Sequence, residues 1–168
     1  LREAAQRTWR DRDHRGIDVS AIEHMDARSL AILREDGIDR ANGVEVPQGT
    51  SIAILVNLEL PSGTNAGQAY DEIGRAHSPQ TPDTPLVRFT TMLANAGVLD
   101  TVQIAVPGDQ TRAGQLLRVR EGIPAGVNAR VGRAKHDSDR RIEKTPADMI
   151  VPFPEFERLL LQYDQEFG

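Results

Sequence analysis

The sequence predicts an α+β fold, a ferredoxin-like sandwich in which helices cover one face of a mainly antiparallel sheet. Three observations predict it. Short segments of strand character alternate with helical stretches in the order βαβ(αα)βαβα. The stretch Thr50 to Leu60 carries aliphatic residues on both faces, as a central strand does. No Gly-x-Gly-x-x-Gly turn follows any strand, so a doubly wound parallel sheet, the alternative, lacks its dinucleotide-binding mark.

Taken in order, Leu1 to about Arg12 is polar and helix-compatible, with Ala5 and Trp9 able to share a face. Ile17 to Ala21 alternates apolar and polar residues as a half-buried strand does, and Ile22 to Met25 extends it. Asp26 stands where a helix N-cap belongs; Ala27, Leu30, Ala31 and Leu33 supply an apolar stripe, and Asp36-Gly37 a stop. Thr50 to Leu60 closes at Pro61-Ser62-Gly63. Helices are expected over about Ala66 to His77 and Pro85 to Ala96, split by the breaker-rich segment Ser78 to Asp83, with Gly97 as a C-cap. Thr101 to Val106 alternates and stops at Pro107-Gly108, which predicts a third strand. Asp109 then caps a helix ending at Glu121. A Gly- and Arg-bearing loop from Gly122 to Glu143 leads to a fourth strand near Ala147 to Val151, and Pro154 opens a last helix reaching about Glu166.

Composition narrows the function classes. A chain of 168 residues with 39% hydrophobic and 27% charged residues has the make-up of a soluble globular unit. With no cysteine, it offers neither disulfides nor thiolate chemistry. A net charge of -5 argues against a nucleic-acid partner, because phosphate binding needs clustered Lys and Arg. No apolar run approaches the roughly 20 residues of a transmembrane helix, so a cytoplasmic location is expected, with peripheral membrane attachment compatible with it. The start at Leu1 rather than Met leads us to expect a piece of a longer polypeptide. His14, His24, His77 and His136 are too scattered for a metal site, and no Gly-x-Ser-x-Gly elbow is present.

Two residues stand out as candidates. Leu116, Leu117 and Val119 define an apolar sector of their helix; at about 100° per residue, Arg120 projects into it and Arg118 away. An inward guanidinium needs a partner. Either it pairs with a nearby Asp or Glu or caps carbonyls, or it reserves its planar fork for an anionic ligand such as a carboxylate. Lys144 shares a strand face with Asp148, but four residues span roughly 13 Å, too far for direct neutralisation. Arg130, Arg133, Lys135, Arg140 and Arg141 make the expected loop basic, although Asp137, Asp139 and Glu143 partly offset them.

The stretch Leu117-Arg118-Val119-Arg120-Glu121-Gly122-Ile123-Pro124, followed by Glu143-Lys144-Thr145-Pro146-Ala147-Asp148-Met149-Ile150-Val151-Pro152, resembles the substrate or cap domain of the FAD-linked oxidases. That family includes glycolate oxidase subunits, D-lactate dehydrogenases and D-2-hydroxyglutarate dehydrogenases. The resemblance runs from about Ile17 to Phe167 in element order and draws its specificity from the two motifs. It implies that Arg120 holds the carboxylate of a small 2-hydroxy acid, assisted by Lys144, and that the hydride passes to FAD. It further implies a flavin-binding domain N-terminal to Leu1 and a histidine-rich segment beyond Gly168 holding a divalent metal and supplying the proton acceptor. Gly122, where relatives carry a larger residue, is expected to loosen the helix end, and Glu23-His24-Met25-Asp26 resembles the start of the cap sheet. A second reading, of another class, is a non-catalytic α+β module that binds an anionic metabolite.

Overall fold

A computed structural model describes residues 16–138 other than 77 and 79, together with positions 155, 158, 159, 161, 162, 165 and 166. The described residues form a mixed α/β structure with a two-stranded antiparallel sheet and five helices between residues 27 and 136. These are β1 (Val19–Asp26), α1 (Ala27–Asp36), α2 (Ile38–Ala41), β2 (Ile52–Leu58), α3 (Ala66–Gly74), α4 (Pro85–Asn95) and α5 (Gln110–His136), with a 3-10 turn at Leu99–Thr101 before α5. The first expected helix and the fourth expected strand lie outside the described residues. Where the last helix was expected, the described positions are helical.

Local chemistry sets most boundaries. The Asp26 carboxylate accepts the Ser29 backbone N–H at 2.7 Å and starts α1, and Gly37, at φ 69°, ends it in the left-handed conformation. Asn65 and Gln68 form a capping box at the head of α3. Thr84 caps α4 ahead of Pro85, and its hydroxyl also donates to Glu72 at 2.6 Å, tying α4 to α3. Between α1 and β2 the chain returns through a loop that Arg34 pins by donating to the carbonyls of Pro47 and Thr50, at 2.8 and 3.2 Å.

The two strands pair from Val19↔Leu58 to Asp26↔Ile52, with an irregularity between Val19 and Ala21. Met25 and Ala53 face a core of Leu30, Leu33, Val44 and Val119, whereas Ile52 and Ile54 are exposed. A second core gathers Ala69, Leu86 and Val106 against Leu58 and Leu60, so β2 reaches both.

Three expectations are corrected. Residues 102–106 form no strand: Val102 and Ile104 are exposed, and Gln103 holds the backbone of Glu45 through its side chain instead of a ladder. Only Val106 of that alternation is buried. The loop expected over 122–143 is helical as far as His136, with Pro124 inside α5. Pro124 has no N–H for the carbonyl four residues back, and a proline at a helix interior costs about 3 kcal/mol. Tertiary contact overrides that penalty. Gly122 and Gly126 are buried where α5 crosses α1 and α2; a Cβ on Gly126 would lie 2.6 Å from Ile32 Cγ2 and from Asp36 Oδ2, and one on Gly122 2.7 Å from Ile38 Cδ1. Gly122 therefore tightens α5 against its neighbours, where loosening was expected.

This packing predicts mutations of opposite sign on one helix. Gly126→Ala should destabilise by roughly 1–2 kcal/mol, since the overpacking exceeds the gain in helix propensity. Gly132→Ala, with nothing within 4 Å of the added carbon, should stabilise by about 0.5–1 kcal/mol. Urea unfolding of both variants reads the difference, and a shared sign would remove close helix contact as the cause.

Candidate functional site

The described part of the site lies where α5 passes β1. On α5 the buried seam consists of Val119, Gly122 and Gly126, with Leu116 and Ile123 packed beside it. Measured from Val119 at about 100° per residue, Arg120 lies on one flank of this seam, Arg118 on the other, and Leu117 nearly opposite. Leu117 is indeed 44% exposed.

The inward orientation expected of Arg120 is thereby corrected. Its side chain is 45% exposed, and its Nε donates to Glu23 Oε2 at 2.6 Å. Counting Leu117 as core pulled the inferred apolar sector toward Arg120; two glycines, which carry no hydrophobic signal, mark the true seam. The pairing alternative describes the geometry. Arg118, expected to point away, donates to Asn42 Oδ1 at 2.7 Å.

Glu23 escaped assignment from sequence, although a signal was present. It alternates with Met25 on β1, so a strand whose Met25 packs on the core also turns Glu23 toward the helices, where a carboxylate needs a donor. Opposite it in the sheet stands Leu55.

Arg130, expected in a basic loop, instead lies on α5 and bridges to α1, donating to Glu35 at 2.6 Å and to Asp36 at 2.9 Å. The hydrogen bond from Arg130, followed by its charge, holds the Asp36 carboxyl below its ordinary range, and Asp36 and Glu35 in turn hold Arg130 further toward its protonated form. Arg130 thus fastens two helices. Arg133 and Lys135 fall in the last turn of α5, where positive charge complements the helix dipole. Lys144, Asp148, Arg140, Arg141, Asp139 and Glu143 lie outside the described residues.

Among the described residues, no group of three or more His, Cys, Asp or Glu side chains is placed to hold a metal ion. No helix among them is long and apolar enough to cross a membrane. Comparison of the chain with known protein families, curated proteins and solved structures yields no match.

Asp26 fixes the junction that carries Glu23, because the same residue ends β1 and caps α1. Hydrogen bonds from Ser29, with a smaller contribution from nearby His24 and Arg28, depress its carboxyl below the ordinary carboxylate value. A folded-state value below the unfolded one contributes stability that is present above the unfolded value and is lost as pH falls through the folded one. Asp26→Ala should therefore cost about 1 kcal/mol at neutral pH. The gap between variant and wild type should narrow as the pH falls below the ordinary carboxylate range. Urea melts across pH 2–7 check it, and a gap that widens in acid would contradict the cap assignment.

Proposed function

We propose that the chain is the substrate-binding part of an FAD-dependent oxidoreductase acting on a small 2-hydroxy acid of the D-lactate, glycolate or D-2-hydroxyglutarate class. The observation that carries the reading is the placement of Arg120, within Arg120-Glu121-Gly122-Ile123-Pro124, half-exposed on α5 and oriented from β1. A guanidinium that solvent reaches, on a helix held closely against α1, suits the recognition of a carboxylate. FAD, held mainly by another domain of the longer polypeptide, would accept the hydride when bound. The contribution of this chain is orientation. Arg120, helped by Lys144, fixes the substrate carboxylate so that C2 faces the redox group, and correct placement alone accounts for much of the rate of such reactions.

In this reading the two described strands belong to a ferredoxin-like sandwich. The FAD-binding domain is the intramolecular partner, the divalent metal belongs to a segment beyond Gly168, and the location is cytoplasmic with or without peripheral membrane attachment.

The experiment is kinetic, in the flavin-loaded full-length protein with D-lactate, glycolate and D-2-hydroxyglutarate and an artificial electron acceptor. Arg120→Lys or Arg120→Ala should lower kcat/KM by two orders of magnitude or more, roughly 3 kcal/mol, with flavin content unchanged. Arg118→Ala should change it little. Equal losses at the two positions would refute the assignment of Arg120, and tight binding without turnover of all three acids would favour the anion-binding module instead.

A further inference from the structure

Taking Arg120 as the substrate-carboxylate anchor proposed above, we infer that Glu23 is a positioning residue that sets the plane in which the Arg120 guanidinium meets its substrate. Glu23 Oε2 accepts from Nε at 2.6 Å, and Nε lies in the guanidinium plane between the flexible stem and the two terminal nitrogens. A hydrogen bond at Nε restricts the rotation of the fork about its own stem. Both ends of the pair stand on rigid supports: Glu23 is inside the β1–β2 ladder opposite Leu55, and Arg120 is one residue past the buried Val119, on the helix that Gly126 and Arg130 hold against α1. Arg120 and Glu23 are 97 residues apart, so only the tertiary fold brings them together. Preorganising a long side chain in this way lessens the freedom lost when a ligand binds.

A carboxylate beside Arg120 has a second, opposed effect, because it also competes with an anionic substrate. The two effects differ in sign. If competition dominates, removing Glu23 tightens substrate binding; if positioning dominates, removing it loosens binding. The Glu23 and Arg120 side chains are 36% and 45% exposed, which lets water screen the competing charge, whereas the geometric restraint is not screened. Positioning should win.

The test compares Glu23→Ala, Glu23→Gln, Arg120→Ala and the Glu23→Ala/Arg120→Ala double variant in the flavin-loaded full-length protein, with whichever of D-lactate, glycolate and D-2-hydroxyglutarate turns over fastest. Glu23→Ala should raise KM about tenfold with kcat within about twofold, the pattern of a group that holds substrate and transition state alike. Glu23→Gln keeps an oxygen acceptor of the same length and should recover most of that loss. In the Arg120→Ala background, Glu23→Ala should have no further effect on KM, because the residue acts only through Arg120. A lower KM in both Glu23 variants, or an equal penalty in both backgrounds, overturns the inference: the first makes Glu23 a competing anion and the second a support of the sheet. If Arg120→Ala is impaired and Glu23→Ala is not, Glu23 loses its role while the anchor reading stands. If Arg120→Ala itself behaves as wild type, the anchor reading fails and the role of Glu23 with it.

Discussion

The close crossing of α5 over α1 and α2 is the constraint on which the rest of the structure depends. At Gly126 the helices approach so nearly that a single added carbon would meet Ile32 and Asp36 at 2.6 Å. That approach lets Val119 join Leu30 and Leu33 in the core, and it brings Arg130 within hydrogen-bonding reach of both Glu35 and Asp36. A helix interrupted by Pro124 and containing four glycines, Gly114, Gly122, Gly126 and Gly132, has poor intrinsic propensity. It persists because its small residues exchange propensity for contact, and most helical stability in proteins arises from such packing. The outer positions follow from the seam, with Arg120 and Arg118 as props on its two sides, reaching Glu23 and Asn42.

What was legible in the sequence had local causes. Asp26 as a cap, Gly37 as a left-handed stop, Pro85 at the head of α4 and Gly97 beyond its end are settled by interactions within a few residues, and a pattern of residue types can express them. The aliphatic run of β2 was legible as a strand, but its expected place at the centre of a sheet was not met among the described residues, where β1 is its one neighbour. The continuation of α5 through Pro124 was not legible, because Pro and Gly are local stop signals and the compensating contacts come from residues almost a hundred positions away. Residues 102–106 failed for a related reason. Alternation states that a segment is compatible with a strand but not that a neighbour is available to pair with it, and here Gln103 supplies a side-chain substitute.

The candidate site divides along the same line. The residue type and motif of Arg120 were readable, but its environment was not, since a sector drawn from three apolar side chains misplaced a seam made partly of glycine. Glu23 was readable in principle, from the parity of β1 alone, once Met25 was set on the core face.

The corrected exposure of Arg120 bears directly on what the residue can do. A fully buried Arg–Glu pair is destabilised by several kcal/mol, about 3–5, when one partner is taken away, because the other charge is then stranded out of water. Such a pair is a structural commitment. At 45% and 36% exposure, the Arg120–Glu23 pair belongs to the class worth about 0–1 kcal/mol, and solvent can compensate either charge while the other changes partner. A guanidinium in that state meets solvent as well as the carboxylate that steers it. The sequence geometry expected an arginine driven inward by its neighbours; one held at the edge of the core, with its plane set from the sheet, is better suited to exchanging contacts with a small anion.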